Sequence, residues 1–148
     1  MDKPNELLPY IVVKGAREAL DFYMAAFGAE EQFVLVDPSD GRLGHGEFRL
    51  GGTTMMIADE YPDFGALSPD TLGGSPVTFH LYVDDVDAAF AHALSHGATE
   101  LRPVKDQFFG DRCGTLLDPF GYRWTLGTRQ EVVSPVEMQR RWDESMAG

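Results

Sequence analysis

YIVVKGAREALDFYMAAFGAEE, from Tyr10 to Glu31, and HLYVDDVDAAFAHALSHGATE, from His80 to Glu100, share one outline. In each, an apolar strand ends at a valine, Val13 or Val83, and a short polar turn follows. A helix then carries Ala19-Leu20 or Ala89-Phe90, and Gly-Ala stops it at Gly28-Ala29 or Gly97-Ala98. The copies lie about 70 positions apart. Further on, RLGGTTMMI (Arg49 to Ile57) faces DPFGYRWTL (Asp118 to Leu126), with Gly52 matching Gly121 at a spacing of 69. In both, a glycine turn feeds an apolar strand. Four landmarks in register make the chain an internal duplication, the feature to look for before any other.

Apolar spacing places one helix on Ala19, Leu20, Phe22, Tyr23 and Phe27, and a second on Val86, Ala89, Phe90, Ala93 and Leu94, each ended by glycine. Strands are read at Leu7 to Val13, Glu31 to Val36, Gly44 to Leu50, Thr53 to Ala58, Val77 to Val83, Thr99 to Pro103, Cys113 to Leu117 and Arg123 to Thr128. The order is β-α-β-β-β twice: module one spans 6–58, a proline- and glycine-rich linker 59–76, and module two 77–128. At Ser134, S-P-V-E supplies an N-cap serine, a proline in the first turn and a glutamate for a capping box, predicting an appended helix over 134–146. The expected fold is α+β: one domain of two tandem βαβββ modules forming a cup-shaped, curved eight-stranded assembly, plus a C-terminal helix.

The 148 residues suffice for one buried core, and 43% hydrophobic with 24% charged residues is ordinary for a soluble globular chain. Twelve basic against twenty-four acidic residues give a charge of −12, which repels a phosphate backbone and argues against nucleic acid or an anionic membrane as partner. MDKPNELLPYIVV holds no apolar run of signal-peptide or membrane-span length, so a cytoplasmic location is expected. Cys113 stands alone, which excludes an internal disulfide.

Strand parity separates the helix-packed face from the free one. Val77, Phe79, Leu81 and Val83 share one face, and Thr78, His80 and Tyr82 the other. Phe48 and Leu50 likewise oppose His45, Glu47 and Arg49. Polar groups therefore collect on the free face, the concave side where a ligand is expected.

Four stretches carry a family resemblance: P-Y-I-V-V (Pro9 to Val13); A-L-D-F-Y with A-F-G-A-E (Ala19 to Glu30); H-L-Y-V-D-D-V-D-A (His80 to Ala88); and D-Q-F-F-G-D-R with D-P-F-G (Asp106 to Arg112, Asp118 to Gly121). With them the chain resembles the vicinal oxygen chelate superfamily, the glyoxalase and bleomycin-resistance group, and its PhnB-like branch in particular. The resemblance implies paired βαβββ modules enclosing a cup, usually in homodimers, serving metal-dependent chemistry or metal-free sequestration of small molecules. Metal-dependent members place ligands five residues before the last valine of each module's first strand and four after the glycine turn. Those counts land on Leu8, Thr78, Met56 and Thr125. None is a usual ligand, since divalent metals in such sites take imidazole nitrogen or carboxylate oxygen. No metal or other cofactor is therefore expected.

The expected ligand-binding residues are Tyr10, His45, Glu47, Met56, Thr78, His80, Tyr82, Phe108, Phe109, Arg112, Arg123 and Thr125. Arg112 and Arg123 offer guanidinium forks for a carboxylate or phosphonate, with pairing to a nearby acid as the competing role. Gln107-Phe108-Phe109-Gly110 reads as an aromatic wall or lid, or as core packing. His92 and His96, off the apolar stripe of their helix, read as solvated. The leading function is a metal-free small-molecule-binding protein. Against it stands a lyase, isomerase or hydrolase using His45, Glu47 and His80 as a displaced metal or acid-base site. A ligand-free scaffold ranks third.

Overall fold

Gly28, at φ 76°, holds the left-handed turn that a side chain resists, and its N–H bonds back to the carbonyls of Tyr23 and Met24. This stop ends helix α1 (Ala16–Phe27). In the computed structural model, which describes residues 5–148, the start of α1 is capped from a distance. Gly15 at its N-cap has no side chain, and the Asp59 carboxylate, far along the chain, accepts the N–H groups of Gly15 and Ala16, both at 2.9 Å. Its second oxygen accepts the Leu43 N–H at 2.7 Å.

The chain divides into two compact units. The first holds residues up to Pro76 together with Pro119–Tyr122, and the second Val77–Asp118 with Arg123–Gly148. Strands β1 (Tyr10–Val13), β2 (Glu30–Val36), β3 (Leu43–Leu50) and β4 (Thr53–Asp59) form the first sheet in the order β1-β4-β3-β2. Strands β5 (Thr78–Tyr82), β6 (Thr99–Asp106), β7 (Asp111–Leu117) and β8 (Arg123–Arg129) repeat that order as β5-β8-β7-β6. In each sheet the outer pair β1·β4 or β5·β8 is parallel and the rest antiparallel. The eight strands thus divide into two four-stranded sheets of identical topology.

One face of each sheet is covered by its own helix. Leu20 and Tyr23 of α1 are buried with Phe48 and Ile57, and the Tyr23 and Phe48 rings stack at 5.5 Å. In the second unit, Val86, Phe90 and Ala93 of α3 (Val86–Ser95) share the core with Leu116, Trp124 and Leu126. The Trp124 indole donates to Asp118 at 2.9 Å, satisfying two polar groups inside that core.

Residues Pro119–Tyr122, which follow Asp118, belong to the first unit. Strand β1 lies at a sheet edge, and the Tyr122 hydroxyl donates to the Val12 carbonyl at 3.0 Å and accepts the Val12 N–H at 3.2 Å. This occupies edge groups that would otherwise template another strand. Gly121, at φ 97°, passes so close that a Cβ would lie 2.6 Å from Pro69, so no other residue fits there.

The stretch after β4, expected as a bare linker, is folded. It carries a 3-10 turn (Pro62–Phe64) and a short helix α2 (Pro69–Leu72) capped by the buried Ser68. Glu60 holds this segment: bonds from Thr71 and then Ser68, including the Ser68 N–H at 2.7 Å, lower its carboxyl from 4.5 to about 2. A depressed carboxyl stabilises the fold fully above its unfolded value, and the contribution disappears as pH falls from about 4.5 through about 2. Glu60→Gln should therefore flatten acid destabilisation in that window, read from unfolding curves at stepped pH. Slopes equal to wild type would remove the role.

The C-terminal helix α4 (Pro135–Ala147) starts where the capping box predicts, with Ser134 accepting the Glu137 N–H at 3.2 Å. It is more than an appendage. Arg141 donates to the Phe108 carbonyl at 2.9 Å, and Trp142 meets the Phe108 ring edge-on at 5.5 Å, so α4 braces the β6–β7 loop. No helix among the described residues is long and apolar enough to cross a membrane. The residues before position 5, part of the stretch read for a leader, lie outside the described residues.

Candidate functional site

Cross-strand register places four side chains in a row over the free face of each sheet. In the second unit His80, Thr125, Thr115 and Arg102 are successive partners across β5, β8, β7 and β6. A parallel row holds Tyr82, Gly127, Cys113 and Lys105. Gly127 gives the rows room, since a Cβ there would stand 3.2 Å from Cys113 Cβ and 3.4 Å from His80 Nε2.

Over these rows lies a cavity of about 510 Å³, lined by His80, Arg102, Lys105, Gln107, Phe109, Cys113, Thr115 and Thr125 among others. The Thr115 and Thr125 hydroxyls share a hydrogen bond of 2.9 Å. Asp111, buried at one end of β7, accepts the Tyr82 hydroxyl at 2.7 Å, with His80 Nε2 and Arg129 Nε each 3.9 Å from its oxygens. Arg102 and Lys105 form no ion pair among the described residues, although acids outnumber bases two to one in this chain. Burial, followed by the charge of Asp111, pushes the Cys113 thiol up, so little thiolate is present at neutral pH.

Arg112 does not belong to this face. It shares parity with Gly114 and Leu116, points to the helix side, and is held by Asp87 at 2.9 and 3.0 Å and by Asp106 at 3.2 Å. The expectation that it lines the cup is corrected: it ties β7 to α3. Arg123 does share the parity of Thr125, and it faces Thr78 and Leu117 in register. Its Nε is buried without a hydrogen-bond partner, and it makes no ion pair among the described residues. Phe109 lines the cavity, while Phe108 packs on Phe109 and Trp142, so the two phenylalanines divide the roles of wall and packing.

In the first unit the corresponding row is Tyr10, Met56, Glu47 and Phe33. His45 joins it through both ring nitrogens. Nδ1 lies 2.7 Å from the Tyr10 hydroxyl and Nε2 lies 2.8 Å from Glu47. Burial, with the Glu47 charge adding to it, raises the Tyr10 phenol above its ordinary value. A shallow concavity of about 480 Å³ opens beside Tyr10, lined mainly by apolar side chains such as Val12, Leu35, Ala58 and Phe64.

His45 and Glu47 are thus brought together, with Tyr10 as their third member, whereas His80 keeps company with Asp111 and Tyr82. No three His, Cys, Asp or Glu side chains among the described residues are gathered to hold a metal ion. The positions implied by the family pattern are taken by Leu8, Met56, Thr78 and Thr125, which offer one thioether and two hydroxyls but no imidazole or carboxylate. These do not fit a divalent ion of that kind. His92 and His96 are both exposed, at the C-terminal end of α3.

Two sheets of identical β-α-β-β-β origin, each with a polar or concave free face, define a protein of the paired βαβββ class. Residues 5–126 match the model of the Glyoxalase/Bleomycin resistance protein/Dioxygenase superfamily, and the chain belongs to that superfamily. It is 44% identical over 136 residues to an uncharacterized protein of Mycobacterium bovis, covering 90% of this chain and 89% of the relative. Among solved structures, a gene product of Arabidopsis thaliana is similar at 28% identity and TM-score 0.68, over 84% of this chain and 98% of that one. A PhnB protein from Bacillus cereus has the same fold at 21% identity and TM-score 0.66, over 84% and 99% of the two chains.

Proposed function

We propose that this chain is a small-molecule-binding protein that holds an anionic ligand over the free face of its second sheet, without a divalent ion at the family's usual positions. The observation that carries this reading is the pair of cations, Arg102 and Lys105, lining a cavity in a chain of net charge −12. Basic groups left without acidic partners amid an excess of acids are poised for an anion from outside the chain. His80, Thr115 and Thr125 supply further hydrogen-bonding groups, and Phe109 an apolar wall. Such a mixture of a few convergent polar groups with an aromatic wall suits a carboxylate or phosphonate carried on a small apolar body.

Elemental analysis of protein purified without chelators, with titration calorimetry against phenylphosphonate and benzoate, tests both parts. Metal well below one equivalent and heat of binding from at least one anion are expected. One tightly held divalent ion per chain would overturn the metal-free reading, and silence with both anions would overturn the ligand class.

A further inference from the structure

Helix α4 contributes no buried residue, yet it lies against the loop that walls the cavity of the second sheet. Its own side chains support its helical form: Arg140 pairs with Glu137 and Glu144, and Gln139 with Asp143, each three or four positions apart. Two side chains reach beyond the helix. Arg141 Nη1 donates to the Phe108 carbonyl at 2.9 Å and to Glu131 at 2.6 Å, and the Trp142 ring meets the Phe108 ring edge-on at 5.5 Å.

From Phe108 the contact passes on to the cavity. Phe108 stands edge-on to Phe109 at 5.2 Å and 89°, and Phe109 lines the cavity. The base of the loop is fixed separately. The Gln107 N–H bonds the Asp111 carbonyl at 2.7 Å, and the Gly110 carbonyl accepts the N–H groups of Gln130 and Glu131 at 2.9 and 3.1 Å. Gly110, at φ 96°, passes so close that a Cβ would lie 2.5 Å from the Glu131 carbonyl oxygen. Phe108 and Phe109, at the tip between these anchors, take their position from α4.

We propose that α4 is a clasp that sets ligand selectivity at this cavity: docked, it presents the Phe109 ring to the body of the ligand and favours an aryl anion over an alkyl one. The proposal rests on anion binding over the second sheet and adds what decides the apolar half of the ligand. A phenyl group against Phe109 gains a ring contact that a methyl group cannot make. A ring that must first be ordered loses part of that gain, and docking of α4 orders it in advance. Trp142 and Arg141 do not line the cavity. They are positioning residues, acting through Phe108 on Phe109. Because α4 adds nothing to the core, the clasp opens without disturbing the sheet beneath.

Titration calorimetry of the full chain with phenylphosphonate and methylphosphonate reads the selectivity, and amide hydrogen exchange without ligand reads the loop. The wild type should bind phenylphosphonate about tenfold more tightly, the order of one ring-on-ring contact. In Trp142→Ala that preference should fall to about twofold, with methylphosphonate affinity unchanged. The amides of Phe108, Phe109 and Gly110 should then exchange roughly tenfold faster, while those of β7 keep wild-type protection and show the variant to be folded. Trp142→Phe keeps a ring for the edge-on contact and should retain the preference. Adding Trp142→Ala to Phe109→Ala should cost nothing beyond Phe109→Ala alone, since both act through one ring. Val136→Ala, at an 83% exposed position of α4, should change neither readout. Equal wild-type affinity for the two phosphonates, a preference that survives Trp142→Ala, or loop exchange unchanged in that variant would each overturn the clasp and leave anion binding standing. Silence with both phosphonates would overturn anion binding, and the selectivity with it.

Discussion

Asp59→Ala should lose about 3–5 kcal/mol of stability, since one buried carboxylate is the acceptor for three backbone N–H groups. Hydrogen bonds to a charged acceptor contribute roughly 1.5–3 kcal/mol each, and they do not add fully when they share one group. The donors cannot simply turn to water: Ala16 and Leu43 are buried, and Gly15 is part-buried. Against a typical total of about 5–15 kcal/mol, such a loss is a large fraction. In urea the midpoint should fall by roughly 2 M with the slope unchanged. Asp59→Asn should cost about half as much, because one oxygen keeps the two N–H groups at the start of α1 while its amide faces the Leu43 N–H. A loss below about 1 kcal/mol in Asp59→Ala would mean that water or a neighbour takes over the three donors.

For the double substitution Arg102→Ala with Lys105→Ala, affinity for phenylphosphonate should drop about 100-fold. Both side chains are exposed, so the low end of the charged hydrogen-bond range applies, about 1.5 kcal/mol each, and every 1.4 kcal/mol is tenfold. The remaining affinity should also depend less on salt, because the long-range attraction has gone. Arg140→Ala removes a like charge from the surface of α4 and serves as the control. Equal losses from the control and from the pair would reduce the effect to net charge and remove the site from the second sheet.

The register of these two sites explains what could and could not be read from residues alone. Alternation along β3 puts His45 and Glu47 on one face without any knowledge of neighbours, and the same parity puts His80 and Tyr82 together on β5. The partner of His45 was a different matter. Tyr10 reaches it only because β1 pairs with β4 and β4 with β3, so that Tyr10, Met56 and Glu47 fall in line. Local pattern holds no record of which strands pair. His80, on the second sheet, has Tyr82 and Asp111 as its neighbours there.

Arg112 shows the opposite case, a reading that the pattern itself argued against. Gly114 and Leu116 occupy the helix side of β7, and the period of two carries Arg112 there as well. Its charge drew it toward the cup in expectation, while geometry gave it Asp87 on α3. Lys105, which lines the cavity, lies beyond Pro103, the residue at which the local pattern ends β6. A proline lacks an N–H, but β6 is an edge strand, where a missing donor costs the ladder little, so the strand continues to Asp106. Asp59 carried no local sign at all, since its three partners are contributed by α1 and β3.

The duplication, the order of elements, the glycine stop of α1, the Ser134 cap and the residue types at the positions that the family resemblance marks all follow from the sequence. Each depends on spacings of a few residues or on a comparison of the chain with itself. The tertiary structure alone decided which side chains meet: Asp59 with the start of α1, Tyr10 with His45, Arg102 and Lys105 with the cavity rows, and α4 with the loop of Phe108. Those meetings join residues that strand pairing and packing bring together across long stretches of chain, and no local preference encodes them.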